Sequence, residues 1–261
     1  MRKHVFAGLL PLLLAGPLAA RAQANTTQPW GTWFIGTVIL PGTADHKLGG
    51  YAEAQARTNG VFSQYFYHEL KAGVSYDIDP NFSVLVGGGR YVTADYQDLS
   101  AGPLNVEKRL WEQLTLTQFS KRLKLEHRYR IEQRWLDFRN DSSAFRQRLR
   151  YRLNAFYPLN KPTIAAGTWF LSAYDEIFLN PKGPTFERNR VYGGLGYQPT
   201  ARFILQLGFV NQANYNLPAY RAGQFIPQIN SAKNNLVLAV TYKLARRSAV
   251  PATEQLPSQQ D

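Results

Sequence analysis

The sequence predicts an all-β protein: a transmembrane, antiparallel, up-and-down β-barrel of the outer-membrane type, with about 12 strands, or about 10 as the other even count. Three observations carry this: a period of two in charge and hydrophobicity, strand-like segments longer than soluble strands, and turn residues at regular spacing. The period is clearest in residues 121–158, which read KRLKLEHRYRIEQRWLDFRN, DSSA and FRQRLRYRLNAFYP. Leu123, Leu125, Tyr129, Ile131 and Trp135 take odd positions with His127 and Gln133, while Lys124, Glu126, Arg128, Arg130, Glu132 and Arg134 take the even ones. Phe145, Leu149, Tyr151 and Leu153 then alternate with Arg146, Arg148, Arg150 and Arg152. A helix would scatter these arginines, whereas a strand gathers them on one face and the rings and leucines on the other.

Length decides what each face meets. Soluble strands cluster near about five or six residues, while segments of about thirteen to seventeen suit a tilted membrane-crossing strand with some overhang. An arginine on the lipid face near the midplane costs about 2–4 kcal/mol, so four in a row must point into the lumen. The competing reading is a soluble periplasmic β-sandwich or lipocalin-like barrel, which requires the leucine and tyrosine faces to pack inward.

In chain order, MRKHVFAGLLPLLLAGPLAARAQA has Arg2 and Lys3, a short apolar run and small residues before a cleavage point. This is the pattern of a secretory signal peptide, assigned to 1–22 with cleavage after residue 22 or after 24. Removing Arg2, Lys3 and Arg21 and no acid takes the formal charge from +12 to +9. The chain has no cysteine, so disulfides play no part in holding an exported fold.

Strand-like alternation follows at 30–40, 47–57, 62–78, 82–93, 106–119, 122–138, 144–157, 165–179, 186–198, 202–212 and 232–244. The links PGTADH, DIDPN, SKR, PLNKP and YQPTA are short, while those after Arg57, Thr93, Phe138, Leu179 and Gln212 are on the whole longer or more polar. Alternating short periplasmic turns and longer outer loops is the barrel pattern. The longest link, from about Ala213 to Ser231, has the size of a functional loop. Eleven segments is odd, and two termini on the periplasmic side require an even count, hence the expectation of about 12 strands. Trp30, Trp33, Tyr76, Tyr91, Trp111, Trp135, Tyr157, Trp169, Tyr197 and Tyr242 lie near segment ends, as interfacial girdles would. The barrel domain is placed at 25–245. Residues 246–261, rich in Pro, Ser and Gln, read as a disordered tail.

EHRYRIEQRW, RQRLRYRLN, YDEIFLN and FERNRVYGGLGYQP, in this order and after a Trp-containing and an Arg-terminated strand (30–57), resemble the outer-membrane barrel family of domain of unknown function 2490 (DUF2490). The resemblance covers roughly residues 30–244 and implies a barrel in the cell outer membrane, with no established activity. The long tail and Asp175, where Asn is more typical, depart from the pattern.

The predicted lumen charge ladder comprises Glu53, Arg57, Arg90, Glu112, Lys124, Glu126, Arg128, Arg130, Glu132, Arg134, Arg146, Arg148, Arg150, Arg152, Glu176, Arg188 and Arg190. Facing charges of opposite sign stabilise adjacent strands, so one reading is a polar plug in a structural or transport-related barrel without catalysis. Twelve cations against five acids supports a second, a small anion-selective channel, since arginine binds phosphate and carboxylate in a bidentate manner. A third is a lipid-acting enzyme. It needs His68 or His127, both assigned to the lipid face, beside a nucleophile, and there is no Gly-x-Ser-x-Gly elbow. No catalytic residue, metal site or cofactor is expected: His46, His68 and His127 form no close pair. GGGR at 87–90 lacks the Lys-Ser/Thr of a phosphate loop and reads as a tight barrel wall or bulge. The expected partners are outer-membrane lipid, lipopolysaccharide, the barrel-assembly machinery and small anions. Despite a pI near 9.9, nucleic acid is not among them, because the protein is exported and its charge faces inward.

Overall fold

The computed structural model describes residues 26–182, 185–215, 219–221, 224–226 and 230–246. The leader assigned to 1–22 and the tail from 247 onward lie outside the described residues. The strands are β1 (Thr26–Leu40), β2 (Leu48–Gly60), β3 (Ser63–Asp79), β4 (Phe82–Ala94), β5 (Pro103–Ser120), β6 (Leu123–Phe138), β7 (Ser143–Pro158), β8 (Thr168–Leu179), β9 (Phe186–Gln198) and β10 (Phe203–Tyr215). A two-stranded ribbon, β11 (Ala219–Arg221) and β12 (Gln224–Ile226), then precedes β13 (Asn230–Lys243).

Strands β1 to β10 pair antiparallel with their sequence neighbours, β13 pairs with β10, and the sheet closes into a barrel through β1 and β13. That last pair is parallel, with Trp33 beside Val237 and Ile35 beside Ala239. The expected barrel of about 12 strands is met by a closed barrel of eleven strands among the described residues. An even number was required only if both ends of the sheet lay on one side. Here the chain enters the barrel at one rim and leaves at the other, and a parallel seam closes an odd sheet without an exposed edge.

The outside is apolar. Leu70, Val74, Val86, Leu110, Tyr129, Ile131 and Leu207 are exposed, while the charged alternates between them are buried. The soluble reading required these leucines and tyrosines to pack inward, and they do the opposite. Aromatic pairs ring the outer surface at both rims. Trp169 stacks on Tyr197 and Phe203 leans on Tyr242 at the C-terminal rim, and Trp135 packs on Phe145 at the N-terminal rim. Three rings assigned to the girdles point inward instead: Trp33, Tyr91 and Trp111 are buried.

Link lengths only partly alternate. At the N-terminal rim the link after β2 is the two-residue turn 61–62, tightened by a left-handed Phe62 (φ 55°). At the C-terminal rim the link 159–167 is long because it folds back over the lumen. Ile164 buries against Phe156, Phe170 and Ile204, and one Arg122 Nη2 donates to the carbonyls of Pro158, Leu159 and Lys161 at 2.8, 3.0 and 2.7 Å. The 87–90 run is a tight wall and no bulge: β4 keeps its register there, and a Cβ at Gly87 would lie 2.6 Å from the Trp111 ring. Arg246, placed by the sequence in the tail, is pinned to the rim by donating to the carbonyls of His46 and Leu48.

Candidate functional site

The site grows from β6 and β7, whose even-numbered side chains share the inner face. Register sets Arg128 opposite Arg152, Arg130 opposite Arg150, Glu132 opposite Arg148 and Arg134 opposite Arg146. Between β6 and β7 opposite signs face one another only at Glu132 and Arg148, whereas on other strand pairs the expectation holds at Arg152 and Glu176, at Glu176 and Arg190, and at Glu53 and Lys71. Like charges directly opposed destabilise a sheet, so the anions arrive from elsewhere. Glu176, on β8, accepts from Arg128 at 2.6 Å and from Arg150 and Arg152 at 2.7 Å, with Arg190 at 3.8 Å. Glu132 accepts from Arg148 and Arg150 at 2.6 Å and has Arg130 at 3.7 Å. Two carboxylates thus knit six guanidiniums into one network, using most of the roughly four acceptor sites each possesses.

Aromatic rings separate the remaining positive charge. Phe178, fully buried, has the guanidiniums of Arg148, Arg150, Arg188 and Arg190 within 4.5–5.6 Å of its centroid. Arg152 lies over Tyr174 at 4.0 Å, Arg130 over Trp111 at 5.1 Å, Arg109 over Tyr91 at 3.6 Å and Arg57 over Trp33 at 3.9 Å. Each ring face carries negative potential that attracts a cation. This is why the inward Trp33, Tyr91 and Trp111 belong to the site.

A second knot lies on β2 and β3, where Lys71 bridges Glu53 and Glu69 at 2.6 Å each and Arg57 stands 3.8 Å from Glu69. On β5, Glu107 is gripped by Arg109 through Nε and Nη2 at 2.5 and 2.9 Å, and by Arg134. Lys124 and Glu126 pair at 3.8 Å near the C-terminal rim.

Of the predicted ladder, Glu53, Arg57, Lys124, Glu126, Arg128, Arg130, Glu132, Arg134, Arg148, Arg150, Arg152, Glu176 and Arg190 are buried inside the barrel. Arg188 is half-buried, and Arg146, on the inward row, is exposed at the N-terminal rim. Arg90 and Glu112 are corrections: both are exposed on the outer wall. One cause explains both. Reading Tyr91 and Trp111 as outward girdle rings reverses the parity of β4 and β5, and a shift of one residue exchanges the faces. The same slip hid Glu107 and Arg109. Glu69 and Lys71 were also missed, although Phe66, His68, Leu70 and Val74 mark the opposite face of β3. Glu187, which reaches Arg148 at 3.2 Å and Arg134 at 3.7 Å, follows an irregularity in the pairing of β8 with β9 that no sequence pattern signals.

Among the described residues, eleven buried cations face six buried carboxylates. The central layer is closed to solvent: Arg128 and Arg130 are 1% exposed, Arg148 2%, and Arg152, Glu132 and Glu176 0%. The two histidines are outside this layer. His127 Nδ1 lies 2.9 Å from the Tyr151 hydroxyl, and His68 Nδ1 meets the Tyr65 hydroxyl. Neither bonds to a serine or threonine among the described residues.

A family model described as "Protein of unknown function (DUF2490)" matches residues 30–221. No curated protein matches the chain. Among solved structures, one described as the NanC porin in a rhombohedral crystal form is similar, with 14% identity and a TM-score of 0.43, covering 82% of this chain and 98% of that one.

Proposed function

The chain belongs to the DUF2490 family of proteins of unknown function, and from that premise we propose that it is an outer-membrane β-barrel, structural or transport-related, whose lumen is held shut by an arginine–carboxylate layer. One observation carries the reading: the ion-paired layer around Glu132 and Glu176 sits across the barrel with its arginines at 3% exposure or less. Open pores keep their lining wet. A network this dry, with each carboxylate shared between arginines, resists local opening because removing one partner strands the others.

The outer surface supports the location. Its apolar band meets lipid, and the aromatic pairs mark the two interfaces. Arg90 and Lys108 are cross-strand neighbours on the outer wall, in the same row as Trp135. Cations at the level of an interfacial ring are suited to lipopolysaccharide phosphates. Export through a cleaved leader and insertion by the barrel-assembly machinery belong to the same proposal.

Planar-bilayer conductance of the detergent-extracted, refolded protein tests it. Insertion without steady conductance is the expected result. Steady anion-selective steps that vanish in Arg148→Glu/Arg150→Glu would replace the plug by an open basic pore, and solubility without detergent would remove the membrane reading.

A further inference from the structure

One stretch of the outer wall carries charge that hydrocarbon does not suit. Register sets Arg90 of β4 directly opposite Lys108 of β5, in a row that continues to Leu70 on one side and to Trp135 and Phe145 on the other. Both cations are exposed. Among the described residues neither has a hydrogen bond, an ion pair or a ring contact. Like charges directly opposite repel, and the carboxylates that resolve such pairs in the central layer have no counterpart here. Glu112 lies two rows toward the C-terminal rim and accepts from Gln133 Nε2 at 3.1 Å. Asp137, diagonal to Lys108 across β6, forms no ion pair with it. Toward the C-terminal rim the wall next to the pair is recessed. The following row is Ala72, Gly88 and Leu110, and the row after it holds Val74 and Val86. These small residues leave Leu70, Val74 and Val86 standing at 62, 61 and 64% exposure, the highest among the large apolar side chains of the described residues.

We propose that Arg90 and Lys108 hold the headgroup of one lipid, a phosphomonoester of the kind that lipopolysaccharide carries, with an acyl chain lying in the recess over Ala72 and Gly88. The inference rests on the membrane reading above and gives it a fixed site. Charge selects the headgroup. A phosphomonoester brings about −1.5 to −2 charges at pH 7 and neutralises both cations, whereas a phosphodiester leaves one of them unbalanced. The guanidinium takes two phosphate oxygens in a bidentate manner, and the lysine acts on the phosphate as a point charge. The recess selects a lipid over a free anion, because a chain seated on Ala72 and Gly88 packs against the flanks of Leu70, Val74 and Val86, contacts that inorganic phosphate lacks.

Thermal unfolding of the refolded protein in nonionic detergent tests the site, titrated with phosphatidic acid, with phosphatidylglycerol of the same acyl chains, and with inorganic phosphate, at constant ionic strength. A ligand that binds only the folded state raises Tm in a saturable way, and phosphatidic acid should do so by about 3–6 °C at tenfold excess over Kd. At equal concentration phosphatidylglycerol and inorganic phosphate should raise it less. The double variant Arg90→Gln/Lys108→Gln should lose the rise while keeping a lipid-free Tm no lower than the parent, since neither side chain gives up a partner. Lys121→Gln/Lys182→Gln, at exposed turns of the two rims, should keep it. A flat titration with phosphatidic acid, an equal rise with phosphatidylglycerol or inorganic phosphate, an undiminished rise in the Arg90/Lys108 variant, or loss of the rise in the turn variant overturns the site. Light scattering of the lipid-free protein is read alongside: a dimer that the Arg90/Lys108 variant abolishes gives this face to a second copy and overturns the lipid. The outcomes separate from those above. Silent insertion with a flat titration sinks the lipid site alone, and steady conductance sinks the occlusion alone.

Discussion

Two walls of the same lumen are built from opposite chemistry. On β6 and β7 the inward positions are Lys124, Glu126, Arg128, Arg130, Glu132 and Arg134 facing Arg148, Arg150, Arg152 and Asn154, all buried. Across the barrel, Trp33 and Ile35 of β1, Val237 and Ala239 of β13, Val210 of β10, Tyr192 of β9 and Tyr174 of β8 make an apolar cluster with almost no exposed surface. Both walls obey the period of two. The apolar wall is held by burial, which is non-directional and tolerates small shifts. The charged wall is held by a few shared carboxylates, so its stability is concentrated in very few atoms. Phe178 and Trp33 join the two, each presenting a ring to arginines.

The comparison is broken most severely at Glu176. Glu176→Gln removes the charge shared by Arg128, Arg150, Arg152 and Arg190, and stranding buried charges costs about 3–5 kcal/mol. Denaturant unfolding in detergent measures it. On the opposite wall, Ile35→Ala leaves a cavity in a packed cluster and should cost about 2–4 kcal/mol in the same assay. A larger loss for Ile35→Ala than for Glu176→Gln would reverse the ranking of the two walls. The smallest effect sharpens the role of the ring between them: Phe178→Leu keeps an apolar side chain but removes the π-face from four guanidiniums, and should cost about 1–2 kcal/mol. If it costs no more than an ordinary volume change, with no dependence on Arg150, the ring is packing only. A double-mutant cycle with Arg150→Gln separates the two outcomes.

The same contrast explains what could be read from the chain. Along β6 the alternates differ in kind, leucine and tyrosine against arginine and glutamate, so one sequence pass assigns both faces. Along β1 the alternates Trp33, Phe34 and Ile35 are all apolar. No pattern there states that Trp33 and Ile35 are buried and Phe34 exposed. Where a ring stood among charges, as at Tyr91 and Trp111, chemistry misled: an aromatic assumed to sit at the lipid interface proved to be the surface on which an arginine lies.

The amino-acid sequence by itself determined the barrel, the extent of its strands and the inward face of β6 and β7, because period, length and the cost of arginine in lipid are local or one-dimensional facts. Tertiary structure alone decided the parallel seam between β1 and β13, the parity of β4 and β5, and the partners of each carboxylate. Glu176 lies 24 and 48 residues from Arg152 and Arg128, and only the particular register in which β6 to β9 pair brings one carboxylate within reach of guanidiniums on three different strands.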